Sequence, residues 1–243
     1  VMLNPSFSFR PTAMGTNMTL NGMKGDYILV LVNGKKMTGD ISGYVDLSRI
    51  DMGRVKRIEV LKGAASSLYG SDAIAGVINI ITDQPHDALN IVSTTRLGGK
   101  GSFIENVNAD INAGKFSSST SYQRRQSDGW QLSNITEDSV PTRRKVSDKF
   151  HSDIVNQRFA FDPSKNLNLY VEGSYFTKEL DRPVNNDAKD LSGFDYDMSY
   201  ENYAVGLGGK YLFGNSAYIS LDVNANNYEY YKVYTRAIES KGD

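Results

Sequence analysis

The sequence predicts a mixed α/β globular unit over residues 1–83, followed over residues 88–243 by antiparallel transmembrane β-barrel strands that form an incomplete barrel. Three observations predict this. Residues 27–82 contain continuous apolar runs bounded by glycine and turn residues, which read as buried strands. From residue 89 the pattern changes to segments of roughly ten residues in which apolar and polar side chains alternate, as they do along barrel strands. The connections between those segments alternate short and long, like the two ends of a membrane barrel.

Residues 1–24 are rich in Met, Asn, Thr and Gly, with weak alternation around Phe7 and Phe9, and predict loops and a short strand. Residues 27–32 (YILVLV) form an apolar run followed by Asn33-Gly34, a strong hairpin signal, so a buried strand turns back through Lys35-Lys36-Met37. Asp46-Leu47-Ser48-Arg49-Ile50-Asp51 leads through Met52 and Val55 at helical spacing and predicts a short helix. Residues 54–82 (RVKRIEVLKGAASSLYGSDAIAGVINIIT) hold two more strand-like runs, 58–61 and 77–81. Residues 63–76 between them are too rich in Gly, Ala and Ser to bury much apolar area. A compact turn or short helix pressed against something larger is expected there.

Asp83-Gln84-Pro85-His86-Asp87 reads as a linker. Seven strands are then expected, at about 89–97, 103–113, 116–124, 152–161, 167–176, 202–213 and 217–234. In the clearest of them, Ala217, Ile219, Leu221, Val223 and Ala225 oppose Tyr218, Ser220, Asp222 and Asn224. A soluble sandwich also alternates, but its outward face carries more Lys and Glu than the Asn, Ser and Gly found here. Short connections at 114–115, 162–166 and 214–216 alternate with long ones at about 126–150 and 178–199, and 98–102 makes a first short outer loop. An odd number of strands does not close a bacterial barrel.

Composition narrows the function classes. The net charge is −1 and no basic stripe occurs, which argues against nucleic-acid binding. Without cysteine there is no disulfide framework, thiolate metal site or thiol nucleophile. A mean hydropathy of −0.42 looks soluble, yet a barrel averages its outward apolar and inward polar residues to such values. Fifteen tyrosines and ten phenylalanines suit interfacial girdles or strand-rich cores equally well.

The order RIEVLKG followed by ASSLYGSDAIAGVINIIT, over nearly thirty residues, resembles the plug domain of TonB-dependent outer-membrane receptors. The resemblance implies a globular plug within a barrel of about 22 strands, with an energy-coupling peptide upstream and further strands downstream. It implies import of a scarce nutrient, a ferric siderophore or haem first, cobalamin or a glycan otherwise, without enzymatic chemistry. The implied partners are the TonB energy-coupling protein at the periplasmic face, the small-molecule nutrient, outer-membrane lipid and lipopolysaccharide, and a surface lipoprotein, in a Gram-negative outer membrane. In this family arginines of the plug lock onto barrel glutamates. The matching positions here hold Asn21 and Lys62, and lysine lacks the two-pronged donor of arginine. Arg57, Glu59 and Lys62 are the lock candidates, the alternative being an exposed cross-strand pair.

No catalytic constellation emerges, and no resident cofactor is expected. His86 and His151 are axial-ligand candidates if the cargo is haem, and otherwise solvated histidines. Asp187, Asp190, Asp195 and Asp197 form an oxygen-rich stretch that suits calcium or simply solvent. Trp130, Arg143, Arg144 and Lys145, in the first long loop, offer aromatic and basic contacts to an anionic chelate or to lipopolysaccharide phosphates. A secreted or surface β-rich adhesin or carbohydrate-binding module is the alternative from another functional class.

Overall fold

A computed structural model gives the structure of residues 7–12, 15–20, 22–37, 44–62, 69, 73–83, 87–137, 140–147, 149–182, 195–214 and 217–235. The N-terminal unit contributes strands β1 (Phe7–Thr12), β2 (Gly15–Leu20), β3 (Met23–Lys24), β4 (Ile28–Val32), β5 (Lys35–Lys36), β6 (Tyr44–Val45), β7 (Val55–Lys62) and β8 (Gly76–Thr82). β1, β2 and β3 form an antiparallel sheet with β6 added on β2. The second sheet has the order β5-β4-β8-β7, with β4 parallel to β8 and the other pairs antiparallel.

β4 explains the continuous apolar run, because both of its faces are covered. Ile28 and Val30 meet Met18, Leu20, Ile78 and Ile80 between the two sheets, while Leu29 and Leu31 meet Ala73 and Val77 on the other side. Asn33 (φ 51°) and Gly34 (φ 81°) turn β4 into β5 with the paired positive φ values of a type I′ hairpin. The Asn33 side chain ties this tip to β8, donating to Thr82 Oγ1 at 2.8 Å and accepting from Thr82 N at 3.0 Å. Gly76 opens β8 at φ 149°, where an added Cβ would stand 2.5 Å from the Leu61 carbonyl oxygen.

The helix expected near residue 50 is instead two single 3-10 turns, Leu47–Arg49 and Met52–Arg54. Asp46 accepts from Ser48 N and Asp51 from Gly53 N, so each aspartate caps a new turn, and extended backbone at Ile50 separates them. The described part of the N-terminal unit is mostly β-sheet with 3-10 turns, and Tyr69, the one described residue of 63–72, is helical. Residues 63–68 and 70–72, where a compact turn was expected, lie outside the described residues, as does Asn21.

The remaining strands are β9 (Leu89–Leu97), β10 (Phe103–Ala113), β11 (Phe116–Ser127), β12 (Trp130–Glu137), β13 (Val140–Ser147), β14 (Lys149–Ser164), β15 (Leu167–Arg182), β16 (Asp195–Phe213) and β17 (Ala217–Thr235). Seven of them form one antiparallel sheet, β17-β16-β15-β14-β11-β10-β9. Among the described residues β12 and β13 pair only with each other, so the stretch expected as a long loop carries its own hairpin.

This sheet is inverted relative to a soluble one. Its inner face, against the N-terminal unit, buries Asn106, Asn108, Asp110, Ser121, Gln123 and Asn202. Its outer face exposes Phe159, Leu169, Val171, Val205, Leu207, Ile219, Leu221 and Val223. The phase then reverses. Beyond Tyr175 and Tyr203, whose rings lie 4.8 Å apart, the inner positions become apolar and buried (Phe176, Leu180, Met198, Tyr200). The outer positions there carry Glu179, Asp181, Asp197 and Glu201. β14 to β17 have 16 to 19 residues, more than the roughly 9–11 a membrane strand needs, and the reversal falls where the excess begins.

Candidate functional site

The candidate site is the contact between the N-terminal unit and the inner face of the seven-stranded sheet. The sequence Asp46-Leu47-Ser48-Arg49-Ile50-Asp51-Met52-Gly53-Arg54 repeats Asp-x-small-Arg at an interval of five. Each aspartate caps its turn, and each arginine, the last residue of that turn, reaches the wall. Arg49 Nη2 donates to Asn202 Oδ1 at 2.8 Å and its guanidinium lies 4.9 Å from the centre of the Tyr228 ring. Arg54 Nη2 meets Asp110 Oδ1 at 3.0 Å, with side-chain exposures of only 11% and 9%.

Asp46 does more than cap. Lys178 of β15 donates to its Oδ2 at 2.9 Å, and the two side chains are 8% and 5% exposed. Burial alone would push the Asp46 carboxyl up, but the Lys178 ammonium and the hydrogen bonds from Ser48 and Lys178 outweigh it and hold the carboxyl below the ordinary carboxylate range. Burial lowers the Arg49 guanidinium from its ordinary value, against the opposing pull of Tyr228 and Asp46.

A third contact lies at the tip of the β4–β5 hairpin. Lys35 bonds Glu172 of β15, whose other oxygen takes Arg158 of β14, and Lys35 also stands 3.6 Å from Asp222. Lys35 and Arg158 lie 4.3 Å and 3.8 Å from the centroid of the Tyr170 ring. β16 makes room for this group with glycines. A Cβ on Gly208 would come within 2.5 Å of the Tyr170 hydroxyl, and one on Gly206 within 3.2 Å of Glu172. Between the contacts lies a cavity of about 530 Å³, lined by Lys35, Arg54, Arg158, Glu172, Asn202 and Asn226 among others.

Arg57, exposed on β7, pairs with the half-buried Glu59 at 2.8 Å, Glu59 also accepting from Asn79 at 3.2 Å. Among the described residues, charge contacts between the N-terminal unit and the wall are made by Lys35, Arg54 and Asp46. Lys62 lies opposite Gly76 in the ladder. Trp130 opens β12, and Arg143, Arg144 and Lys145 lie on β13, with Asn134 opposite Arg143 and Gln131 opposite Lys145. His151 faces Glu179 across the sheet, Nε2 to Oε2 at 3.5 Å, both exposed. Asp195 begins β16, and Asp197 is exposed opposite Asp181. His86, Asp187 and Asp190 lie outside the described residues. Among the described residues no group of three metal-ligating side chains comes together. The sequence signal for the wall contacts is the tandem Asp-x-small-Arg itself, which the reading for helical period passed over.

The N-terminal unit is thus seated on the polar inner face of an outward-apolar, up-and-down antiparallel sheet. Residues 2–77 match the family model of the TonB-dependent receptor plug domain. It is 36% identical over 91 residues to the vitamin B12 transporter BtuB of Photobacterium profundum, covering 37% of this chain and 15% of that protein. To the vitamin B12 transporter BtuB of Vibrio cholerae it is 47% identical over 66 residues, 27% of this chain and 11% of that protein. Among solved structures, the ferric yersiniabactin uptake receptor FyuA of Yersinia pestis is similar with a TM-score of 0.72 at 17% identity, over 97% of this chain and 38% of that one. The copper transporter OprC is similar with a TM-score of 0.70 at 17% identity, over 91% and 33%. At these identities the structural likeness concerns the fold.

Proposed function

We propose that the protein is an outer-membrane importer of a scarce metal chelate, ferric siderophore, haem or cobalamin, in a Gram-negative bacterium. The observation that carries this reading is the inverted wall with the plug docked on its polar side. An apolar outer band of this extent suits lipid, and a polar lumen filled by a separately folded unit suits gated passage of a solute. An adhesin would have no use for either feature. The TonB protein would supply the pull at the periplasmic face, and plug rearrangement would open the path.

The names of similar proteins span vitamin B12, iron chelates and copper, so the shared chemistry is a chelated metal, bound above the plug. The β12–β13 hairpin, with Trp130, Arg143, Arg144 and Lys145 in its strands, is the proposed contact for an anionic chelate. Equilibrium binding to the detergent-solubilised receptor, with ferric siderophores, haem, cobalamin and an oligosaccharide as probes, tests the reading. Saturable binding of one metal chelate is expected. Binding of the oligosaccharide alone, or recovery of the protein as a stable monomer without detergent, would overturn it.

A further inference from the structure

Where the second Asp-x-small-Arg turn meets the wall, three buried oxygen atoms have no donor among the described residues: Asp51 Oδ2, Gln123 Oε1 and Asn108 Oδ1. Buried acceptors are almost always satisfied, so the group calls for a physical reason. Asp51 is 6% exposed and Gln123 2%. The space between them exists because residue 53 is glycine, whose Cβ would stand 3.1 Å from Asp51 Oδ1 and 3.2 Å from Asn108 Nδ2.

The orientation of the Gln123 amide follows from its neighbours. Nε2 donates to Asn106 Oδ1 at 2.6 Å and to Asp51 Oδ1 at 3.3 Å. Turning the amide over would set its oxygen against both acceptors. One side of a carboxyl–amide pair is therefore made across the plug–wall boundary. Asp51 Oδ2 and Gln123 Oε1 are the atoms left over on the same two side chains, and a proton on Oδ2 would let them supply the second bond of such a pair.

We propose that Asp51 is held as the neutral acid, its Oδ2–H donating to Gln123 Oε1, so that plug and wall are joined by a two-point acid–amide pair that opens when Asp51 ionises. The charged neighbours of this pair have partners of their own, and only Arg54 acts on Asp51. Arg54 on the same turn is engaged with Asp110 of β10, whose other facing residues, Asn106 and Asn108, are uncharged. β11 presents Ser121 and Gln123, with Arg125 further along beside Asp46. On the preceding turn, Asp46 is paired with Lys178 and Arg49 with Asn202. Burial pushes the Asp51 carboxyl up, and the Gly53 N–H, Ser121, Arg54 and Gln123 only partly oppose it. A carboxyl raised on docking binds its proton more tightly docked than free. The contact is then strongest below the ordinary aspartate range and weakens as pH rises through the raised value. The inference concerns the docked plug and is independent of which cargo is carried.

Infrared spectra of the receptor in detergent, taken from about pH 3 to about pH 8 with Asp51→Asn as reference, test it. A carboxylic C=O band absent from Asp51→Asn is expected to persist above about pH 3.9, the ordinary aspartate value, and to shift in Gln123→Met, which removes the acceptor. Hydrogen exchange of residues 47–54 should show a step toward faster opening at the same midpoint. Asp51→Asn, which keeps a two-point pair at every pH, should abolish that step. Asp51 ionising at its ordinary value, a band unmoved by Gln123→Met, or a step that survives in Asp51→Asn would each overturn the proposal.

Discussion

Replacing Lys178 with methionine isolates the buried charge contact between plug and wall. The methionine retains the apolar stem against Phe150 and Tyr200, so packing is largely preserved and the ammonium alone is lost. Asp46 is then a carboxylate 3% exposed with its ion-pair partner gone. Breaking a buried pair from one side costs about 3–5 kcal/mol, which is roughly a hundred- to a few-thousandfold in the ratio of docked to released plug. The double variant Asp46→Asn/Lys178→Met removes both charges and keeps a capping side chain, so it should recover to within about 1–2 kcal/mol of the wild type. The pH dependence should change sign. In the wild type the Asp46 carboxyl is held low, so its contribution is present above the ordinary aspartate value and lost as pH falls through the lowered one. In Lys178→Met only burial and the Ser48 bonds remain, and docking should strengthen as pH falls. Hydrogen exchange of residues 44–54 in the solubilised receptor reads the opening free energy. Unchanged exchange in Lys178→Met, or a double variant no better than the single, would refute the reasoning.

Arg57→Ala removes an exposed pair and should change plug docking by under about 1 kcal/mol, whereas Arg54→Met, which leaves the buried Asp110 of the wall without its cation, should cost about 3–5 kcal/mol by the same exchange measurement. Gly76→Ala places a Cβ against the Leu61 carbonyl at a left-handed φ, and should destabilise the plug by about 1–3 kcal/mol, seen as faster limited proteolysis within the β7–β8 region. Leu221→Arg, at an outer position 68% exposed, should cost about 2–4 kcal/mol of folding into phospholipid vesicles, while Asp222→Asn on the inner face should cost far less.

Where local pattern decides structure, the sequence was readable. Asn33-Gly34 forms its predicted turn, the two runs of residues 54–82 are β7 and β8, and the wall strands alternate as expected. The strand ends were hidden because the apolar phase reverses at Tyr175 and Tyr203, where burial passes from the outer to the inner face. A fixed period of two breaks at that point. The spacing of residues 46–51, Met52 and Val55 predicts a helix, but extended backbone at Ile50 and Val55 ends each three-residue turn, and Asp51 caps a new one. The docking contacts were least legible. Lys178 and Asp46 are 132 positions apart, and nothing local distinguishes Lys178 from other lysines of the sheet. Arg57 and Glu59 pair with each other along β7, and Glu59 also accepts from Asn79 of β8.

The chain's lack of cysteine allows a direct test of the docked geometry. The Cβ of residue 53 would stand 3.3 Å from that of Asn106, close to the roughly 3.5–4.5 Å of a disulfide. With Gly53→Cys and Asn106→Cys introduced together, mild oxidation in intact cells should join plug to wall and stop cargo uptake, and reduction should restore it. Failure to cross-link while each single cysteine still reacts with a maleimide, or undiminished uptake through the cross-linked receptor, would contradict the account.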